Sequence, residues 1–455
     1  MNINVKVGQQ FPLTIKRLGI NGEGIGYFKK KITFVEGLLP GEVALVEVVA
    51  AKSNFIQAKV VRIREQSENR IKPKCKVYDI CGGCQLQHMT YDAQLDFKAQ
   101  IVKDALNKYA THIPSDIVKP TLGMEHPWGY RNKNQFPVQM KGNKLIAGLY
   151  EKDSHRLIDI KKCPVQDKRT IQVTNEIRNI LQKEQVQICK NPNKEQGLRY
   201  IVTRVAKHSQ EVQVTLVCTD DALKHNTQLV QQIMKISFVE GLSININKDK
   251  TSRVLGDKTI HVGGKRQITE TLGDFYYDLS PDSFFQLNPK QATAMYGEIE
   301  TQAGLNGNET VVDAFCGTGT IGIWLSKNAK EVRGMDIIKE GIADAKKNAQ
   351  LNERENVHYE VGDAYVIMEK WIEEGFKPDV ITVDPPRTGL GTKAVDLINR
   401  VQPHTFVYTS CNPSTLSKDL AHLTKKFKVV NIQPIDMFPQ TAQVEVVVKL
   451  IAKNV

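Results

Sequence analysis

The spacing of apolar residues changes along this chain, and the change divides it. Over residues 1–64, apolar and polar positions alternate in PLTIKRLGI, ITFVEG, EVALVEVVA and FIQAKVVRI, with Gly, Pro and Asn between the runs. A period near two with closely spaced turn residues predicts about five strands closing into a small β-barrel. EQSENRIKPK, polar and ending in Lys-Pro-Lys, reads as the linker out of it. Residues 91–109, YDAQLDFKAQIVKDALNKY, repeat their apolar positions at helical spacing and predict an amphipathic helix. Strand patterns (NQFPVQM, KLIAGLYE, RYIVTRVA, EVQVTLVC, SININ) then surround one clear helix near TIQVTNEIRNILQK, so residues 72–275 read as an α+β domain.

From residue 276 to 455 strand and helix alternate. VVDAF, VRGMD, VHYEV, DVITV and TFVYTS are strand-like, IKEGIADAKKNAQLN, YVIMEKWIEEG, TKAVDLINRV and STLSKDLAHLTKK helix-like, and VVNIQPIDMF with VEVVVKL ends the chain as a β pair. This order predicts a doubly wound, mainly parallel sheet. Asp313, Asp336, Asp363 and Asp384 fall at strand carboxyl ends and should surround one crevice. In VVDAFCGTGT a strand passes through Gly317 and Gly319 directly into a helix, a turn that lets backbone approach a ligand closely. Asp336 ends the next strand where a ribose-binding carboxylate sits in nucleotide-binding α/β folds, so an adenosine-containing cofactor is expected.

Charge adds a partner. The chain of 455 residues is 41% hydrophobic and 25% charged, ordinary for a globular protein, yet its net charge is +12. Residues 1–74 hold 13 Lys and Arg against 6 Asp and Glu, so +7 of that excess lies there. Lys29, Lys30 and Lys31 stand among Tyr27, Phe28 and Phe34, a mixture of cations and aromatics that suits RNA phosphates and bases better than a solvated charge run does. Tyr130, Arg131, Asn132 and Lys133 form a second basic cluster that suits RNA and a solvated strand edge equally. MNINVKVGQQ has no apolar core of a leader, and no run of eighteen apolar residues occurs, so a cytoplasmic protein without a membrane span is expected.

Cys75, Cys81 and Cys84 bring three thiols into ten residues, and Cys163 stands before a proline. In a cytosolic protein four such thiols point to a tetrahedral thiolate site for zinc or for an iron–sulfur cluster, and their spacing leaves both open. Cys189 and Cys218 lack such neighbours and read as small buried hydrophobes.

Several motifs together carry a resemblance over essentially the whole chain. GINGEGIGYFKKKITFVEGLLPGE resembles the TRAM domain, a small RNA-binding barrel. VDAFCGTGTIG, VDPPRTGL, YTSCNPSTLSKDL, DMFPQTAQVE and the clustered cysteines resemble the RNA uracil-C5 methyltransferases, particularly the bacterial enzymes that make 5-methyluridine in 23S ribosomal RNA. The resemblance implies a multidomain α/β protein: a TRAM-like barrel, a central α+β domain, and a Rossmann-like domain that uses S-adenosyl-L-methionine. It implies Cys411 as nucleophile and Glu445 as general base, and Gln286, Phe315, Asp336, Asp363 and Asp384 at cofactor-binding positions. Cys75, Cys81, Cys84 and Cys163 match its [4Fe-4S] ligands. Two positions depart from the pattern: Asp336 stands where glutamate is common, and Gln443 where histidine is expected.

The chemistry accounts for those residue types. Uracil C5 is too weak a nucleophile to take a methyl group from a sulfonium unless a thiolate first adds to C6. Asn412 and Pro413 are suited to cap and start a helix, whose positive end would favour the Cys411 thiolate. After methylation a base must remove the C5 proton before the sulfur can leave, a task for a carboxylate such as Glu445. Phe284 or Phe285 would pack on the base once it has left its stack. The sequence supports a monomer acting on 23S ribosomal RNA; methylation of tRNA uracil-54, or RNA binding without turnover, are the competing readings.

Overall fold

The computed structural model describes residues 5–191, 195–251 and 253–453. At the N-terminus β1(Gln10–Leu18), β2(Gly24–Phe28), β3(Lys31–Val35), β4(Val43–Ala51) and β5(Phe55–Glu65) form a closed barrel in the order β1-β2-β3-β5-β4. Alternation in β1 turns Phe11, Leu13 and Ile15 inward, where they meet Val35, Leu38, Val46 and Ile56. Closure needs a glycine at Gly26, whose added Cβ would lie 2.6 Å from the Thr14 carbonyl. The barrel is fastened to the linker by Glu42, whose carboxylate accepts hydrogen bonds from the Arg70 guanidinium at 2.7 Å and from the Leu39 amide at 2.8 Å.

Helix α1(Tyr91–Tyr109) forms where helical spacing predicts it and buries Phe97, Ile101, Val102 and Leu106. Its partner is not the central sheet. Those residues pack with Leu416, Leu420 and Leu423 of the C-terminal region, and the segment after α1 runs beside a C-terminal strand through bridges from Val118 to Ile432 and Leu122 to Ile435. The central sheet contains β6(Lys133–Lys141), β7(Lys144–Tyr150), β8(Leu157–Asp159), β9(Leu198–Val205), β10(Val212–Cys218), β11(Val239–Ile246) and β12(Lys258–Gly264), in the order β12-β11-β10-β9-β6-β7-β8. Helices α2(Lys168–Lys183) and α3(Thr227–Met234) pack on it through Ile171, Ile177, Leu181, Leu229 and Ile233. Cys189 and Cys218 are buried, as expected of small hydrophobes. A hairpin, β13(Ile268–Leu272) and β14(Phe275–Leu279), leads to α4(Pro289–Ala303).

The C-terminal sheet alternates as its sequence predicts. β15(Thr310–Ala314), α5(Thr320–Leu325), β16(Glu331–Asp336), α6(Lys339–Leu351), β17(Val357–Val361), α7(Ala364–Glu373), β18(Val380–Val383), α8(Thr392–Val401), β19(Thr405–Ser410) and α9(Pro413–Leu423) precede β20(Phe427–Ile435) and β21(Glu445–Ala452). The order is β17-β16-β15-β18-β19-β21-β20, parallel as far as β19 and antiparallel beyond it. Parallel strands align their carboxyl ends, so every loop leaving them opens on one edge. No helix among the described residues is long and apolar enough to cross a membrane.

Candidate active site

The glycine turn after β15 is built by steric need and by a carboxylate. Gly317 (φ 54°) and Gly319 (φ 78°) are left-handed, and a Cβ on Gly319 would lie 2.4 Å from the Tyr359 hydroxyl. Phe315 shares the left-handed conformation at φ 63°, uncommon for a bulky residue and a sign of a constrained turn. Asp336 ends β16 and spans the turn: Oδ2 accepts from the Gly317 amide at 3.0 Å and Oδ1 from the Ile338 amide at 2.8 Å. Asp363 follows β17 and caps α7, accepting from Tyr365 and Val366. Asp384 follows β18, and burial pushes its carboxyl up to about 7. Asp313, inside β15, is pushed up to about 8 by burial and then by the Asp384 and Asp336 charges. One of its oxygens accepts from the Gly322 amide at 2.8 Å; the other has no hydrogen-bond partner. Gln286 lies on the approach to α4, its carbonyl accepting from Asn132 Nδ2 at 3.1 Å.

Cys411 and Glu445 meet on the same edge. The β19–β21 ladder pairs Thr409 with Val447 and Ser410 with Val446, and one further step along this register sets Cys411 against Glu445. Asn412 caps α9, accepting from the Ser414 amide at 3.1 Å, and Pro413 occupies the first turn, as the sequence predicts. The expected thiolate does not follow. Burial, then the carboxylates of Glu445 and Asp384, push the Cys411 thiol up, with Arg387 opposing. Desolvation and two nearby acids outweigh a helix terminus, whose influence fades within a turn. Glu445 is pushed up to about 8 by burial and then by Asp384, with Arg387 and Lys98 opposing.

Arg387 is a charged neighbour of Cys411 and Glu445 that sequence reasoning passed over, although DPPR displays it. Its carbonyl accepts from Asn412 Nδ2 at 3.0 Å and Thr415 Oγ1 at 3.2 Å, which ties its loop to the start of α9. Farther along, Asp419 Oδ2 on α9 accepts from the Leu390 amide at 2.9 Å and the Tyr408 hydroxyl at 2.7 Å. The loop that presents Arg387 is therefore held at both ends by the helix that follows Cys411.

Two expectations are corrected, and a third residue is located. Phe284 is 67% exposed and free to meet a base, but Phe285, 4% exposed, packs on Tyr277 in the core and is not a stacking surface. Tyr130, Arg131, Asn132 and Lys133 are no solvated edge: the buried Tyr130 hydroxyl donates to the Pro439 carbonyl at 2.9 Å, and the Asn132 amide to Leu287 at 2.9 Å. Gln443 is exposed, its amide donating to Thr441 Oγ1.

Cys75, Cys81, Cys84 and Cys163 line one cavity of about 420 Å³, so the structure does bring them together. They do not form a closed ligand cage: among the described residues, no group of three or more His, Cys, Asp or Glu side chains is arranged to hold a metal ion. Burial pushes the Cys84 thiol up to about 12, with Cys163, Cys81 and Cys75 adding to the rise. That mutual influence is what thiols sharing one space exert, and a bound cation reverses it.

A parallel sheet closed by an antiparallel pair, with a glycine turn after its first strand and acids along the carboxyl edge, is the fold of the S-adenosylmethionine-dependent methyltransferases. The chain belongs to the tRNA (uracil-5-)-methyltransferase family, whose model matches residues 90–453, and carries a TRAM domain, matched over residues 4–61. Its activity class is thus RNA (uracil-C5) methylation. An uncharacterized RNA methyltransferase of Bacillus cereus is 50% identical over 99% of this chain and 98% of its own length. One from Listeria monocytogenes is 46% identical over 100% of both. Among solved structures, the tRNA (uracil-54, C5)-methyltransferase of Pyrococcus abyssi in complex with S-adenosyl-L-homocysteine is similar at a TM-score of 0.76 and 27% identity, covering 97% of this chain and 100% of that one.

Proposed function

We propose that this protein methylates C5 of a uridine in 23S ribosomal RNA, with Cys411 as nucleophile and Glu445 as the base that completes the reaction. The observation that carries this reading is the cross-strand placement of that thiol and that carboxylate beside the cofactor edge. Residues 1–64 bind RNA, residues 276–455 carry the chemistry, and residues 72–275 hold the four thiols. A monomer is part of the proposal, and RNA as substrate supports a cytoplasmic enzyme.

S-adenosyl-L-methionine, when bound, supplies an electrophilic methyl group. The left-handed glycine turn and the adjacent acids suit its adenosine, so Gln286, Phe315, Asp336, Asp363 and Asp384 would hold it. The Cys411 thiolate adds to C6 of the uracil and makes C5 nucleophilic. Once C5 is methylated, a Glu445 oxygen takes its proton, the C5–H electron pair restores the C5–C6 double bond, and the C6–S bond breaks to return the thiolate. Phe284, which is exposed, would stack on the base that leaves the RNA.

The four cysteines support a [4Fe-4S] cluster, because four thiols on one cavity are the donor set such a cluster requires. Holding it needs the thiols to draw in from the arrangement found. Protein purified without oxygen should contain about four irons and absorb visible light; stoichiometric zinc without sulfide would overturn the assignment.

The competing substrate is tRNA uracil-54, favoured by the likeness to the Pyrococcus abyssi enzyme. Mapping 5-methyluridine in ribosomal and transfer RNA from cells with and without this protein decides between them. Loss from 23S ribosomal RNA supports the first reading; loss confined to tRNA replaces it with the second. An unchanged map in both overturns each.

A further inference from the structure

Residues 436–444 connect β20 to β21 and deliver Glu445, and most of what holds that connection lies outside the C-terminal sheet. The Lys98 ammonium on α1 donates to Asp436 Oδ1 and, at 3.1 Å, to the Phe438 carbonyl. The Tyr91 hydroxyl donates to Asp436 Oδ2 at 2.7 Å. Gln94 pairs with Gln440 twice, accepting from its amide at 3.0 Å and donating to its side-chain oxygen at 3.1 Å. Tyr130 holds the Pro439 carbonyl from the far side.

Neutral side chains such as Tyr91 and Gln94 suffice to tether backbone. A lysine at this place is different, because the Lys98 and Asp436 side chains are both 0% exposed, and burying an ion pair is costly compared with apolar packing. The charge bears on Glu445 as well as on Asp436. The groups facing Glu445 are Asp384 after β18, Arg387 in the loop that follows, Cys411 after β19, and Lys98 on α1. Burial and Asp384 favour the neutral acid; Arg387 and Lys98 favour the carboxylate. Arg387, the larger of the two influences, lies on an exposed loop where solvent screens it, whereas Lys98 is fully buried; burial pushes its ammonium down, and Asp436 and Glu445 oppose that.

We propose that Lys98 is a positioning residue for the proton-removal step: through Asp436 and Phe438 it fixes the connection that presents Glu445, and its buried ammonium favours the form of that group that accepts the C5 proton. The proposal rests on the assignment of Glu445 as the base. Methyl transfer needs the thiolate and the cofactor but no proton acceptor at C5, so Lys98 should matter after that transfer.

The test uses the full-length protein and RNA carrying tritium at C5 of its uridines, with methyl transfer and tritium release followed separately across pH. In Lys98→Met, tritium release at neutral pH should fall roughly tenfold relative to methyl transfer, and its acid limb should move upward by about one unit, the effect of losing one nearby cation. A methylated covalent adduct should accumulate, and Lys98→Arg should restore the position of the limb. A structural role alone would slow both steps together and leave the limb in place, which overturns the proposal. Where Lys98→Met fails to fold because Asp436 is stranded, the double variant K98M/D436L replaces the pair with apolar side chains of similar size and carries the same expectation. An unmoved limb in that folded double variant likewise overturns it. Glu445→Gln separates the two ideas: no trapped adduct there removes Glu445 as base, while a trapped adduct with an unmoved limb in the Lys98 variants removes Lys98 alone.

Discussion

Cys411 and Glu445 each stand one residue beyond the Ser410–Val446 pair that ends the β19–β21 ladder, near enough for the carboxylate to push the thiol up. Because β21 runs against β19, its first residue arrives where β19 ends. A final parallel strand would bring its carboxyl end there instead, so the reversal is what places a carboxylate from the last strand beside a thiol from the fifth. Burial raises both groups, Glu445 and Asp384 raise the thiol further and Asp384 raises Glu445, so both rest in their protonated forms more than they would in water.

The division of labour predicts the behaviour of Glu445→Gln. The amide permits addition of Cys411 and methylation, since neither removes the C5 proton, but it cannot take that proton afterwards. A covalent enzyme–RNA adduct should accumulate, survive denaturing electrophoresis, carry label from the methyl donor, and vanish when Cys411 is also changed to Ala. Normal multiple turnover by the variant, or RNA attached to another cysteine, would sink the mechanism.

Arg387 sets a second pH dependence, with a different readout. The Cys411 thiol is pushed above its ordinary range, so the thiolate fraction at neutral pH is small and adduct formation should rise with pH. Arg387 is the cation opposing that shift, and Arg387→Met should move the rise to still higher pH. Exposure of the guanidinium limits the effect to roughly half a unit, about a threefold slower addition at neutral pH. Rapid-quench measurement of adduct formation checks it; a shift toward lower pH would contradict the charge assignment.

How far these relationships are legible in the sequence follows from how local their causes are. Strand and helix alternation, the glycine turn, the cap at Asn412 and the barrel's alternating strands depend on neighbouring residues, and a linear reading finds them. Lys98 shows the limit. It sits one turn beyond Gln94 on the apolar stripe of α1, a polar pair where the pattern calls for hydrophobic residues, and its partner Asp436 is more than three hundred residues away. Likewise the Cys411 thiol shift depends on Asp384 and Glu445, brought together only by the completed sheet. Phe284 and Phe285 differ for the same reason: adjacent, identical side chains point one to solvent and one to core.

Glu42 predicts a pH-dependent stability. Burial pushes its carboxyl up, but the Arg70 guanidinium and the Leu39 and Ser67 amides more than offset this and hold it below the ordinary range. A depressed carboxylate contributes stability that is fully present above its unfolded pKa and is lost as pH falls through the folded one. Glu42→Gln should therefore destabilise the barrel by about 2 kcal/mol at neutral pH, less than a fully buried pair because Arg70 reaches solvent. Urea unfolding should show that difference shrinking as pH falls below about 4. A difference that stays constant with pH would locate the effect in packing, not charge.

The tip of the barrel's β2–β3 hairpin carries the last prediction. Lys29 (φ 49°) and Lys30 (φ 66°) are its two loop residues, both left-handed, the geometry of a turn that asparagine and glycine form with least strain. Two lysines there sacrifice stability, and what they offer in return is charge beside Tyr27, which is 54% exposed. Lys29→Asn with Lys30→Gly should stabilise the barrel by about 1 kcal/mol while weakening RNA binding. If both lysines contact phosphates of single-stranded RNA, the slope of log affinity against log salt should flatten by about 1.4, since each lost contact releases about 0.7 fewer counterions. A stabilised barrel with an unchanged salt slope would show that the hairpin tip does not touch the RNA backbone.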